Sequence, residues 1–204
     1  MDAENLPLTE HAPLCPQRAY DISNVAGEWY VRYYTSQHGL THTILRYAKV
    51  YGERDSELGQ HPLSYFISML LGGRRPIIRG AADELGDHIY IDDVVRANLS
   101  ALARGQNQTL HVSSGHGYTL KQFYRTVARF LESEIEPIYI STSLVEASPI
   151  IMDNSLAQRV LGWRPEVDFT EGVWRAVNLL RGSKREVAQI SSREAQGVLA
   201  AVVA

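Results

Sequence analysis

The chain has 204 residues, 45% of them apolar and 21% charged, enough apolar content for a packed globular core. Its net charge of -3 gives no electrostatic case for a nucleic-acid partner, and no apolar run approaches the ~20 residues that span a bilayer. Cys15 is the one cysteine, so an intrachain disulfide is impossible and the cytoplasm is the expected location.

Residues 1–19 hold Pro7, Pro13 and Pro16 without periodicity and predict an extended loop. Cys15 sits in that loop with no His or Asp pattern beside it, which argues against a nucleophile. From Asp21 to about Gln37, apolar residues recur at three- and four-residue intervals and predict an amphipathic helix with a wide apolar face. Gly39 ends it. THTILRY (41–47) is a β-rich run, after which YGERD turns away. Pro62 to Leu71 predicts a helix closed by Gly72-Gly73, with the basic pair Arg74-Arg75 on solvated surface.

Short strands follow at PIIRG (76–80) and HIYI (88–91). Asp92 and Asp93 then open the helix DDVVRANLSALARG, where acids at a helix start predict capping rather than a metal or acid pair. TLHVSS (109–114) is a strand leading to the turn Gly115-His116-Gly117. Thr119 and Gln122 form a capping box for a helix to about Glu132, and PIYI (137–140) is another strand. Asn154 to Leu161 is a short helix ended by Gly162, and Thr170 caps the helix GVWRAVNLLR. Trp163 and Trp174 are expected in the core, and the tail 183–204 is a weak helix or a disordered extension.

Alternating strands and helices argue for an α/β arrangement. GxGxxG, GxxGxxG and the P-loop are absent, so the element that holds a dinucleotide pyrophosphate is missing from the sequence. His88, His111 and His116 lack metal-ligand spacing, and no metal site is expected. Tyr20 and Asn24 stand about one helical turn apart and share a face. Such spacing can give a tyrosine a cationic neighbour, but here the neighbour is neutral. On these residues alone, Tyr20 is better explained as a packing aromatic.

Four segments in one order resemble the extended short-chain dehydrogenases, in the NAD-dependent nucleotide-sugar epimerase/dehydratase group typified by UDP-glucose 4-epimerase. They are LPLTEHAPLCPQRAYDISNVAGE, GLTHTILRYAKVYGER, HIYIDDVVRANLSAL and DNSLAQRVLGWRPEVDFTEGV, covering roughly residues 6–181. The resemblance implies the C-terminal part of a Rossmann-type parallel-sheet domain plus a small α/β substrate-binding domain within residues 1–182. It also implies that residue 1 falls after the first four or five strands and helices of the family. The glycine-rich turn and the catalytic Ser/Thr belong to that earlier part.

The resemblance assigns Tyr20 as the catalytic base and puts Asn24 where the family has an activating lysine. It places Tyr20, Asn24, Ala48 and Val50 against NAD or NADP, and Lys49 and Arg54 toward a nucleotide-sugar substrate. A free phenol has a pKa near ~10 and is a poor base at neutral pH without a nearby cation. Asn24 can hydrogen-bond a ribose but supplies no charge. Lys49 replaces an asparagine, Gly86 stands where an arginine would grip the pyrophosphate, and SLVEA (143–147) has no second arginine. The expectation is a homologue weakly active or inactive as this chain, with either a homodimer or a partner that supplies the missing half. The alternative is a non-catalytic binding or subunit-interaction module derived from an epimerase.

Overall fold

Helix α1, Ala19–His38, begins where the Asp21 carboxylate turns back to accept from the Arg18 backbone amide at 3.2 Å. It stops at Gly39, whose φ of 63° lets its N–H reach the Thr35 carbonyl at 3.0 Å. In the computed structural model, which describes residues 6–52, 62–80, 82–140 and 149–182, α1 has no buried residue. The predicted apolar face is there, but it is uncovered: Trp29 is 68% exposed, and Tyr30, Tyr33 and Tyr34 are exposed with it.

The residues fall into two compact units. The first is drawn from Met1–Tyr51, Asp83–Thr119 and Ser143–Asp168. Its strands are β1 (Thr43–Tyr47), β2 (Lys49–Tyr51), β4 (Gly86–Tyr90), β5 (Gln108–Val112) and β6 (Gly117–Tyr118). β1 pairs with β5 in parallel, Leu45 opposite Leu110. β2 pairs with β4 in parallel, Lys49 opposite His88, while β6 runs antiparallel to β4. Helices α3 (Ile91–Ala101) and α5 (Ser155–Leu161) cover these strands around Ile89, Val94, Ala97, Leu110, Val112, Ala157, Leu161 and Trp163. Leu110 is fully buried there, and Leu110→Ala would cost about 2–5 kcal/mol through the cavity it leaves.

The second unit is drawn from Gly52–Ala82, Leu120–Thr142 and Phe169–Ala204. Helix α2 (Pro62–Leu71) packs on α4 (Leu120–Phe130), with Phe66 edge-on to Tyr124 at 5.8 Å. Strand β3 (Ile77–Arg79) pairs in parallel with β7 (Ile138–Ile140). A last helix, α6, spans 169–182. It buries Val173, Ala176 and Val177, one face at helical spacing. Trp174 lies off that stripe and is 47% exposed, so of the two tryptophans expected in the core only Trp163 belongs to it.

Other expectations shift by a residue or two. Lys49–Tyr51 is a further strand that takes in Tyr51, the first residue of the expected turn, because the neighbouring β4 supplies a parallel partner. β4 begins at Gly86, and α3 begins at Ile91 with Tyr90 in the cap position and no side-chain cap. Asp92 and Asp93 therefore stand inside the first turn and do not cap the helix. Asp93 is fully buried, and its carboxylate accepts from the backbone amides of Glu166 at 2.9 Å and Val167 at 3.2 Å. The tail 183–204, the segment SLVEA and Arg54 lie outside the described residues.

Candidate functional site

Tyr20 lies in the first turn of α1 with 72% of its surface exposed. The Ser23 hydroxyl donates to the Tyr20 carbonyl at 2.7 Å, a local backbone contact that leaves the phenol to solvent. Asn24 is exposed one turn on, and among the described residues its side chain makes no hydrogen bond.

Polar contacts tie α1 to the sheet. Arg32 donates to the Thr109 hydroxyl at 2.9 Å, and Arg46 on β1 forms a fork with Glu28 and also reaches the Glu10 carbonyl at 3.1 Å. The Arg46 guanidinium holds the Glu28 carboxyl below the ordinary carboxylate range. Glu10 in turn accepts from the His111 backbone amide at 2.9 Å. These residues carry no motif spacing, since Glu28 and Arg46 meet only through the fold.

Ala48 and Val50 are half-buried and pack against the first unit's core, whereas Lys49 between them is exposed. Lys49 points to the neighbouring strand, where a Cβ on Gly86 would stand 3.0 Å from its Nζ. Next to Gly86, the buried Asp87 carboxylate accepts from Ser114 N at 3.0 Å, Ser114 Oγ at 2.8 Å, Gly115 N at 3.3 Å and Met152 N at 3.1 Å. That knot fixes the turn after β5 and the segment entering α5. Its sequence signal was an acid inside an apolar strand, which must be paired if buried. His88 and His111 are strand residues and His116 lies in the turn, as expected. Among the described residues no cluster could hold a metal ion, and no helix is long and apolar enough to cross a membrane.

Residues 2–113, more than half of the chain, match the model of the NAD dependent epimerase/dehydratase family. The chain belongs to that family. A UDP-glucose 4-epimerase-type protein of Methanocaldococcus jannaschii is 33% identical over 181 residues, covering 88% of this chain and 59% of that one. The crystal structure of UDP-glucose 4-epimerase from Thermotoga maritima, solved with UDP-glucose, superposes with a TM-score of 0.85 at 31% identity, over 89% of this chain and 59% of that one. The Thermus thermophilus UDP-glucose 4-epimerase in complex with NAD gives 0.76 at 25% identity, over 88% and 59%. The chain therefore spans less than two thirds of the length of these relatives. Its mixed α/β fold with parallel strands is theirs.

The residues present do not make a whole site for the family's NAD. Tyr20 and Asn24 are both exposed on α1. The pyrophosphate end needs a glycine-rich turn into a helix N-terminus. At the direct strand-to-helix junction here, Ile91 follows Tyr90 without a turn, and Asp92 and Asp93 fill the first helical turn with negative charge.

Proposed function

We propose that this chain carries the tyrosine helix and the substrate-side residues of an NAD(P)-dependent nucleotide-sugar epimerase or dehydratase, and that alone it is weakly active or inactive. The observation that carries this reading is Tyr20, exposed in the first turn of α1, with the neutral Asn24 in place of a cation one turn away. Tyr20 would exchange a proton with a sugar hydroxyl. Asn24 would hydrogen-bond a ribose, Ala48 and Val50 would flank the nicotinamide, and Lys49 would face the sugar nucleotide. A cytoplasmic location is part of the same proposal, since the exposed Cys15 has no disulfide to protect.

Titration calorimetry with UDP-glucose and with NAD tests both halves of the proposal. The expected result is binding of UDP-glucose and no measurable binding of NAD. Micromolar affinity for NAD would overturn the inactive-alone part, and absence of UDP-glucose binding would overturn the substrate part.

A second reading, a subunit-interaction module, is favoured by the row of exposed rings on α1. There the partner is a second copy or a chain that supplies a glycine-rich half.

A further inference from the structure

We propose that Leu6–Glu10 is a strap seated over the neutral ring of His111, and that uptake of a proton by that ring lifts the strap from the first unit. The strap runs alongside the segment that enters α5. Leu8 bridges Met152 in parallel, its amide donating to the Ile151 carbonyl at 2.8 Å and its carbonyl accepting from the Asp153 amide at 2.8 Å. Two residues on, the Glu10 carboxylate accepts from the His111 amide at 2.9 Å, and the Glu10 carbonyl accepts from Arg46 at 3.1 Å. The His111 ring lies beneath, 4% exposed, and its Nδ1 is the one buried side-chain polar atom without a hydrogen bond among the described residues. Such an atom has lost its hydration with no bond in exchange, and water reaching the ring would remove that cost.

The charges around the ring oppose one another. Glu10 on the strap and the carbonyls of Leu8 and Asp153 favour the imidazolium, whereas Arg46, the register partner of His111 on β1, disfavours it. Arg46 is itself paired with Glu28 of α1. The nearby Asp153 carboxylate is engaged by the Ser155 amide at 2.8 Å. Burial outweighs the favourable groups and pushes the His111 pKa below the ordinary histidine range. Lifting the strap hands the ring to water and returns its pKa toward ~6.5, so opening takes up a proton. Opening is therefore favoured as pH falls below about 6.5, by up to tenfold per pH unit, until the closed form itself titrates. The strap is the neighbour that can yield. None of its residues is buried, whereas Leu110 and Val112 beside His111 on β5 are fully buried. The strap leads through residues 11–18 into α1, where Tyr20 is the second residue, and Arg46 holds both Glu10 and Glu28. Proton uptake thus loosens the approach to the Tyr20 helix, whatever chemistry Tyr20 performs.

The test is amide hydrogen exchange by NMR on the full chain between about pH 7.5 and 5.5, each rate corrected for the intrinsic pH dependence of exchange. Protection of the Leu8 and Asp153 amides should fall by up to tenfold per pH unit below about pH 6.5. The Ala48 amide, bonded to the Val112 carbonyl at 3.0 Å, should keep its protection. In His111→Gln, which stays polar and cannot titrate, strap protection should be flat across the range, with thermal melting to show that the variant is folded. The wild-type ring, followed on its carbon-bound protons, should titrate below about pH 6.5. Strap protection independent of pH in the wild type, an equal fall in His111→Gln, or an equal fall at Ala48 would each overturn the switch. Should His111→Gln fail to fold, the wild type alone decides: a ring that titrates at or above about pH 6.5 overturns the proposal.

Discussion

Arg46 on β1 and Glu28 on α1 share a two-pronged ion pair, Nε to Oε1 at 2.7 Å and Nη2 to Oε2 at 2.8 Å. Both side chains are mostly shielded from water, and α1 buries no residue of its own. This fork therefore does much of the positioning of the helix that carries Tyr20. Arg46→Ala should cost about 3 kcal/mol, because it strands a half-buried carboxylate. Arg46→Lys should cost about 1 kcal/mol, keeping charge but not the fork. Urea denaturation followed by helical circular dichroism reads both. Glu28 also has a sign in pH. Its folded pKa is depressed, so its contribution is present above the unfolded carboxylate pKa, near ~4.3, and is lost as pH falls through the folded value. Glu28→Gln should remove that part of the acid sensitivity.

Asp93 is expected to be the most sensitive polar position in the first unit. It lies fully buried, accepts from two amides of the segment after Trp163, pairs with Arg96, and its own carbonyl accepts from Trp163 Nε1 at 2.9 Å. Asp93→Ala leaves those amides without an acceptor and Arg96 with Glu166 alone, at 3.3 Å, and should cost about 3–5 kcal/mol. Asp93→Asn keeps one acceptor oxygen and should cost about half as much. Shifted Trp163 fluorescence in the folded variants would report the loosened loop. An unchanged melting temperature for Asp93→Ala would refute the clamp.

His111 predicts a second, milder pH dependence. Burial pushes its pKa below the ordinary histidine range, outweighing the opposing pull of Glu10, and its Nδ1 has no partner among the described residues. The unfolded chain takes up a proton on this residue near ~6.5, before the folded chain does. Stability is therefore full above about pH 6.5 and falls as pH drops toward the folded pKa. His111→Leu should flatten the slope of unfolding free energy just below about pH 6.5 by up to ~1.4 kcal/mol per pH unit. An identical slope in the variant would exclude His111 as the source.

What the sequence made legible was local. Gly39 and Gly162 end helices with φ of 63° in both cases, as their positions after apolar-periodic runs implied. The family was also legible, because its motifs survive as short contiguous strings. The site was less so. Asp93 looked like a helix-start acid, since the amides it serves lie more than seventy residues away in sequence. The Lys49–Gly86 relation was equally hidden, being a through-space effect of β2 lying beside β4. Trp174 is exposed because it lies off the buried stripe of Val173, Ala176 and Val177, a phase that hydrophobicity alone does not carry.

The exposed rings of α1 predict association. Trp29, Tyr30, Tyr33 and Tyr34 form a contiguous aromatic stretch, with Tyr33 edge-on to Tyr34 at 5.4 Å. An apolar face of this kind drives contact with another surface. Sedimentation velocity should find the wild type self-associated at micromolar concentration, and Trp29→Glu with Tyr33→Glu should shift it to monomer. A monomeric wild type at that concentration would remove the support for the interaction-module reading.

Asn24 offers the sharpest test of why activity should be low. Tyr20 and Asn24 are both exposed, so a lysine at position 24 can be accommodated on the helix without repacking. Its ammonium would stand about one turn from the phenol and favour the phenolate by direct charge. Each unit by which a tyrosine is shifted toward ionisation is worth about 1.4 kcal/mol, or about tenfold in the ionised fraction. With the chain joined to the glycine-rich half of a related epimerase, Asn24→Lys should raise the conversion of UDP-glucose by about tenfold or more. Asn24→Met, which has similar length and no charge, should not. Equal activity in the lysine and methionine variants would mean that the missing charge is not what limits Tyr20.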